Sequence, residues 1–151
     1  MKVVQGDLIK LALEGEFDVI MHGCNCFCSM GAGIALAIRK NFPQAYEADK
    51  LTIKGNREKL GTCSSAVCTV ENKSLVVINA YTQFHWDGVG VLADYSAIRS
   101  CAKWVKANHT NKHIGLPKIG AGLARGDWDI ISQILDEEFI DEKVTLVEFV
   151  S

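Results

Sequence analysis

The chain reads as an α/β protein, a three-layer α/β/α sandwich around a mixed central sheet. Three observations predict this class. Short apolar runs that suit buried strands alternate with longer runs of helical character along nearly the whole chain. Two neighbouring β-rich runs are joined by a short polar turn, so one antiparallel hairpin interrupts an otherwise strand–helix alternation. Two Gly-Ala-Gly stretches each follow an apolar run and lead toward a helix. No internal repeat, low-complexity segment or linker divides the chain, so one domain over residues 1–151 is expected.

Lys2 to Val4 opens as a β-type run into Gly6-Asp7-Leu8, and Asp7 is placed to cap a brief helix from Leu8 to Leu13. Phe17 to His22 is short, apolar and bounded by polar residues, which predicts a buried strand. A polar, glycine-bearing stretch from Gly23 to Gly33 follows. Ile34 to Asn41 has helical character and stops before Pro43; a second helix is expected from Gln44 to Ile53. Thr62 to Val70 and Leu75 to Tyr81 are β-rich, with Glu71-Asn72-Lys73-Ser74 as the turn between them. Thr82 to Gly90 is a loop carrying Phe84-His85-Trp86. Apolar residues at 92, 95, 98, 102 and 105 give Leu92 to Asn108 a helical period. Ile114 to Leu116 is a short strand stopped by Pro117, and a second glycine loop runs from Lys118 to Gly126. Asp127 then caps a helix from Trp128 to Phe139, and Val144 to Val150 forms the last strand.

Composition narrows the function. The 151 residues are 48% hydrophobic and 23% charged, enough to bury a real core. Sixteen basic against eighteen acidic residues give a net charge of −2, which disfavours holding a nucleic acid by bulk charge. No apolar run approaches a membrane span, and the start turns polar too soon for a secretion signal. Six cysteines, at 24, 26, 28, 63, 68 and 101, read as mostly reduced and buried. A cytoplasmic protein is expected, and a monomer, because no amphipathic seam is left over.

The two glycine loops are the strongest feature. Glycine lets backbone N–H groups turn toward a ligand and approach it closely. A helix N-terminus adds unpaired donors and a partial positive charge. A phosphate held between Gly31-Ala32-Gly33 and Gly120-Ala121-Gly122 is neutralised by backbone dipoles, which suits a chain with no basic excess. Neither loop is a dinucleotide fingerprint, because Leu36 stands where the third glycine belongs. Neither is a P-loop, because no Gly-Lys-Ser/Thr follows. As plain strand–helix turns both are also unexceptional.

Gly6-Asp7-Leu8, His22-Gly23-Cys24-Asn25-Cys26, Met30-Gly31-Ala32-Gly33-Ile34-Ala35 and Pro117-Lys118-Ile119-Gly120-Ala121-Gly122-Leu123, in this order and spacing, resemble a macrodomain. The His-x-Cys-Asn-Cys form most resembles the branch with ADP-ribose 1″-phosphate phosphatases and terminal ADP-ribose hydrolases. The resemblance implies an α/β/α fold that binds ADP-ribose at the carboxyl edge of its sheet. It implies that Asp7, with Leu8 beside it, accepts from the adenine amino group, and that Asn25 lies beside the distal ribose. It implies that Gly31, Ala32, Gly33 and Ile34 form the first phosphate loop, and that Gly120, Ala121, Gly122 and Leu123, preceded by Pro117, form the second. Phe149 is expected to flank the adenine.

His22 and Asp127 are candidates for chemistry, with Asn25 as the catalytic-site residue that positions the substrate. His22 ends an apolar strand three residues before Asn25, and the resemblance implies a catalytic imidazole there; a buried histidine bonded to backbone is the plainer reading. Asp127, just past the second loop, is placed to orient water, or simply to cap a helix. The chain departs from terminal ADP-ribose hydrolases in two places. It has Asn79-Ala80-Tyr81-Thr82-Gln83 where they carry a lysine, and Ala124 where they carry an aspartate. Hydrolysis of ADP-ribose 1″-phosphate therefore ranks first, with a non-catalytic ADP-ribose reader, or a hydrolase acting on carboxylate esters of ADP-ribosylated protein, as alternatives. No cofactor is required. Cys24, Cys26 and Cys28 lack the paired spacing of a zinc site, so no metal is expected. Lys118 and Arg125 flank the second loop and are candidates to balance phosphate charge; Phe84-His85-Trp86 is a candidate wall of the cleft.

Overall fold

Alternation along the strands sets the layers. In a computed structural model that describes residues 1–150, strand β2 (Val19–Cys24) sends Val19 and Met21 into one apolar cluster and Ile20 and Cys24 into the other. Strand β4 (Lys73–Tyr81) does the same, with Ile78 and Ala80 on the first side and Leu75, Val77 and Tyr81 on the second. Both faces of the sheet are thus apolar and both are covered by helices. Helices α1 (Leu8–Leu13), α2 (Gly33–Asn41) and α3 (Pro43–Lys50) pack one face through Leu8, Ala12, Ile38 and Ala45. Helices α4 (Tyr95–Asn108) and α5 (Trp128–Glu138) pack the other through Ile98, Ala102, Ile131 and Leu135. Trp104 and Trp128 lie against this second core.

The six strands are completed by β1 (Lys2–Gly6), β3 (Cys63–Val70), β5 (Ile114–Leu116) and β6 (Val144–Phe149), in the order β1-β6-β5-β2-β4-β3. Every pairing is parallel except the β3–β4 hairpin. The mixed α/β/α sandwich expected above is the fold observed. From β2 the chain moves toward β4 and β3; from β5 it moves the opposite way, toward β6 and β1. The loops leaving β2 and β5 therefore diverge, and a crevice opens between them at the carboxyl edge.

Several boundaries differ from the expected ones, each for a local reason. The strand expected over Phe17 to His22 runs over Val19–Cys24 instead, and the Asp18 carboxylate just before it accepts from His113 N at 2.8 Å. Helix α3 ends at Lys50 rather than Ile53, leaving Leu51 and Ile53 exposed. Helix α4 starts at Tyr95 rather than Leu92, because Asp94 caps it by accepting from Ala97 N at 2.9 Å. The hairpin turn is only two residues, Glu71 and Asn72, both at positive φ, the geometry that matches strand twist. A 3-10 turn spans Arg57–Lys59. Among the described residues no helix is long and apolar enough to cross a membrane.

Candidate functional site

Two adjoining cavities, of about 660 and 760 Å³, share Gly33, Ile34 and Pro117 and together form one groove across the carboxyl edge. Each is of a size suited to a small molecule. The first is walled by residues 29–35 from the β2 side and 117–125 from the β5 side. The second is bounded by Asp7, Leu8 and Phe149. The structure thus brings together both glycine loops, Asp7, Leu8, Asn25, Pro117 and Phe149. Ala121 alone of the second loop is not on the wall; it packs instead against the core.

Both loops present backbone donors. Among the described residues, no acceptor meets the N–H groups of Gly31 to Ala35, nor those of Gly120, Gly122, Leu123 and Ala124. The N-cap of helix α2 is Ala32, which has no side-chain acceptor to give, so its first turn is uncapped toward the groove. Gly33 sits at φ +58° and Gly120 at φ +77°, the left-handed region where glycine avoids strain. Gly120 O is pinned by Gly126 N at 2.7 Å, which folds the second loop back on itself. The loops nearly touch: Leu123 Cδ1 lies 3.5 Å from the position a Cβ on Gly33 would take. An anion between them meets dipoles from two directions.

Asp7 caps α1, its Oδ1 accepting from Ile9 N at 2.9 Å and Lys10 N at 3.4 Å. Asn25 lines the groove, and its amide also holds its own loop. Nδ2 donates to Ser29 Oγ and Oδ1 accepts from Phe27 N, both at 2.8 Å. Phe149 is exposed at the mouth.

The two candidates for chemistry lie elsewhere. His22 is fully buried under α3 and does not line the groove. It stands directly across from Asn79 in the β2–β4 register, with Nε2 2.7 Å from Asn79 Oδ1. Asn79 Nδ2 already donates to Ala45 O, so Oδ1 is the acceptor and His22 carries its proton on Nε2. Burial lowers its pKa to about 4, against the Asn79 bond, which raises it. The imidazole is buried, as the plainer reading expects, but bonded to the Asn79 side chain rather than to backbone. Asp127 is a helix cap. It is exposed at the start of α5, where Oδ1 accepts from Asp129 N at 2.9 Å, and it does not line the groove.

The charged flanks are engaged too. Arg125 donates from Nε to Gly90 O and from its guanidinium to Gly88 O, each at 2.6 Å, so it ties the 84–91 loop to the second glycine loop. Lys118 Nζ is 3.7 Å from Glu148. Trp86 does line the groove, stacked on His85 with centroids 3.9 Å apart and braced by the edge of Phe27. Sequence reasoning missed Asp49, which lines the groove from α3 with 1% exposure. Its signal was present: it follows Ala45 by four residues, on the buried face of a short helix. All six cysteines are free, and among the described residues no three His, Cys, Asp or Glu side chains converge on a common point.

The Macro domain family model matches residues 21–135, a span holding most of β2, both glycine loops and most of α5. The chain belongs to the Macro domain family. Over 154 residues this macrodomain is 37% identical to an uncharacterized 17.5 kDa protein of Enterobacteria phage T4, covering 99% of this chain and 96% of that one. It is 26% identical to an ADP-ribose 1″-phosphate phosphatase of Candida albicans, covering 91% of this chain and 92% of that one. A solved structure from Bacteroides thetaiotaomicron, of a protein of unknown function, superposes with a TM-score of 0.79 at 30% identity and covers 98% of each chain.

Proposed function

We propose that this macrodomain binds ADP-ribose along the groove and hydrolyses ADP-ribose 1″-phosphate to ADP-ribose and phosphate. One observation carries the binding: two loops of unpaired N–H groups face each other across a cleft of ligand size. A diphosphate fits that arrangement, because its charge is shared along two adjacent anions and both loops reach it. Asp7 then takes the adenine amino group with an acceptor-only carboxylate, and Phe149 flanks the base. Asn25 faces the distal ribose. The relative named as an ADP-ribose 1″-phosphate phosphatase supports placing the reaction at the C1″ end.

Titration calorimetry with ADP-ribose tests the binding, followed by phosphate release from ADP-ribose 1″-phosphate. Micromolar binding and turnover are expected. Asp7→Asn, which keeps a good helix cap but replaces an acceptor-only group, is expected to lose about tenfold or more in affinity at little cost in stability. One alternative has an observation in its favour. His22 and Asp127 stand away from the groove, which is what a non-catalytic ADP-ribose reader requires. Binding without phosphate release selects that reading.

A further inference from the structure

The first cavity has a wall besides the two glycine loops. Trp86, from the 84–91 loop between β4 and α4, lines it together with Asn25. The second cavity, with Asp7 and Phe149, receives nothing from that loop. Trp86 therefore belongs to the Asn25 end of the groove. Its side chain is 54% exposed, yet it is held in place. His85 stacks on the indole with centroids 3.9 Å apart, and Phe27 braces it edge-on at 5.6 Å. These contacts cover one side of the ring and leave its exposed part to line the groove.

The loop that carries Trp86 is tied down along its length. At its start Cys26 N donates to Phe84 O at 2.9 Å, and Gln83 bridges to Ala93 across its base. At its end Leu92 N donates to Ala124 O at 2.8 Å. Between these anchors Arg125 grips the middle, with Nε on Gly90 O and Nη2 on Gly88 O, each at 2.6 Å. A guanidinium suits this task, because its rigid fork of donors fixes two carbonyls at once. Arg125 does so from a left-handed backbone, φ +59°, which costs free energy in a residue other than glycine and persists where the surroundings enforce it. Its own N–H donates to Gly122 O at 3.0 Å, so the second glycine loop and the Trp86 loop are joined into one wall.

We propose that Trp86 is a specificity-determining residue of this groove, its indole packing on the distal ribose of ADP-ribose, and that Arg125 is the positioning residue that sets it there. The proposal rests on the ADP-ribose reading above and deepens it. The backbone donors of the two loops serve the diphosphate, and they serve any nucleoside diphosphate alike. A ribose beyond the diphosphate adds hydroxyls, which suit the Asn25 amide, and a C–H face, which needs an apolar partner. An indole supplies that area with only two side-chain torsions to fix. Holding the loop in place before the ligand arrives removes that ordering cost from binding.

The test is titration calorimetry with ADP-ribose and with ADP, which ends at the diphosphate, on wild type, Trp86→Ala, Arg125→Gln and the double variant. Each ligand is compared with itself across the variants, so the extra charge on ADP cancels. Trp86→Ala is expected to weaken ADP-ribose about tenfold and ADP by less than about threefold. Arg125→Gln is expected to weaken ADP-ribose about fivefold with the same small effect on ADP, and to add less than about twofold once Trp86 is alanine. A merely structural role weakens both ligands and adds its full loss in either background. Wild-type fluorescence gives a second reading that needs no variant to fold. Trp104 and Trp128 lie against the core, so ADP-ribose is expected to change the emission and ADP to leave it nearly unchanged. Equal losses for the two ligands in Trp86→Ala, no loss for either, or a spectrum that answers both ligands identically overturns the assignment and leaves ADP-ribose binding intact. Equal losses in Arg125→Gln overturn its positioning role and make it a phosphate contact. A wild-type protein that does not bind ADP-ribose overturns the reading of the groove itself, and the role of Trp86 falls with it.

Discussion

His22 shows how burial turns a reactive side chain into a structural one. Its imidazole is enclosed between sheet and helix, so protonation there carries the full cost of desolvation. Unfolding restores an ordinary imidazole near pH 6.5, while the fold resists protonation down to about 4. Between these values the unfolded chain binds more protons, so stability falls as pH drops through that window. From pH 7 to 5 this one group is expected to remove about 2 kcal/mol. His22→Gln keeps a donor for Asn79 and does not titrate. Denaturant midpoints at the two pH values are expected to fall further for wild type than for the variant. Asp49 has a raised pKa, which acts in the opposite sense, but it is common to both proteins and cancels. Equal slopes in the two proteins exclude His22 as the source.

At the scale of elements, helix α2 gives up stability to leave its N-terminus open. A residue with a side-chain acceptor at position 32 caps a helix better than alanine by about 1 kcal/mol. Ala32→Asp is therefore expected to raise the denaturant midpoint. The same carboxylate competes for the N–H groups that face the groove, so ADP-ribose affinity is expected to fall about tenfold or more. Calorimetry and urea unfolding on one preparation read both effects, and a variant that gains stability without losing affinity removes the first loop from the anion site. The helix boundaries belong to this scale as well. Caps at Asp7 and Asp127 were readable because aspartate before an apolar run has one common use. Leu92 keeps the apolar period and so predicts an earlier start for α4, although its N–H bonds to Ala124 O at 2.8 Å instead.

Over the whole molecule, net charge and ligand charge have the same sign. The chain carries −2, and its cations nearest the second loop are engaged, Lys118 beside Glu148 and Arg125 on the carbonyls of Gly88 and Gly90. On the proposed reading, attraction for a diphosphate comes from dipoles at contact range, which salt screens far less than separated full charges. ADP-ribose affinity is expected to change by less than about threefold between 0.05 and 0.5 M salt. A fall of more than about tenfold over that range assigns the binding to side-chain cations instead.

Sequence alone determined the layers, the mixed sheet and the two glycine loops, because each follows from local spacing: period two in strands, 3.6 in helices, and glycine where the backbone must turn back. Tertiary structure decided which polar side chains reach the groove. His22 is three residues from Asn25 in the chain and Asp49 is twenty-four away, yet Asp49 lines the wall and His22 does not. Alternation along β2 and the packing of α3 across the sheet set that outcome, and both depend on contacts between segments far apart in sequence.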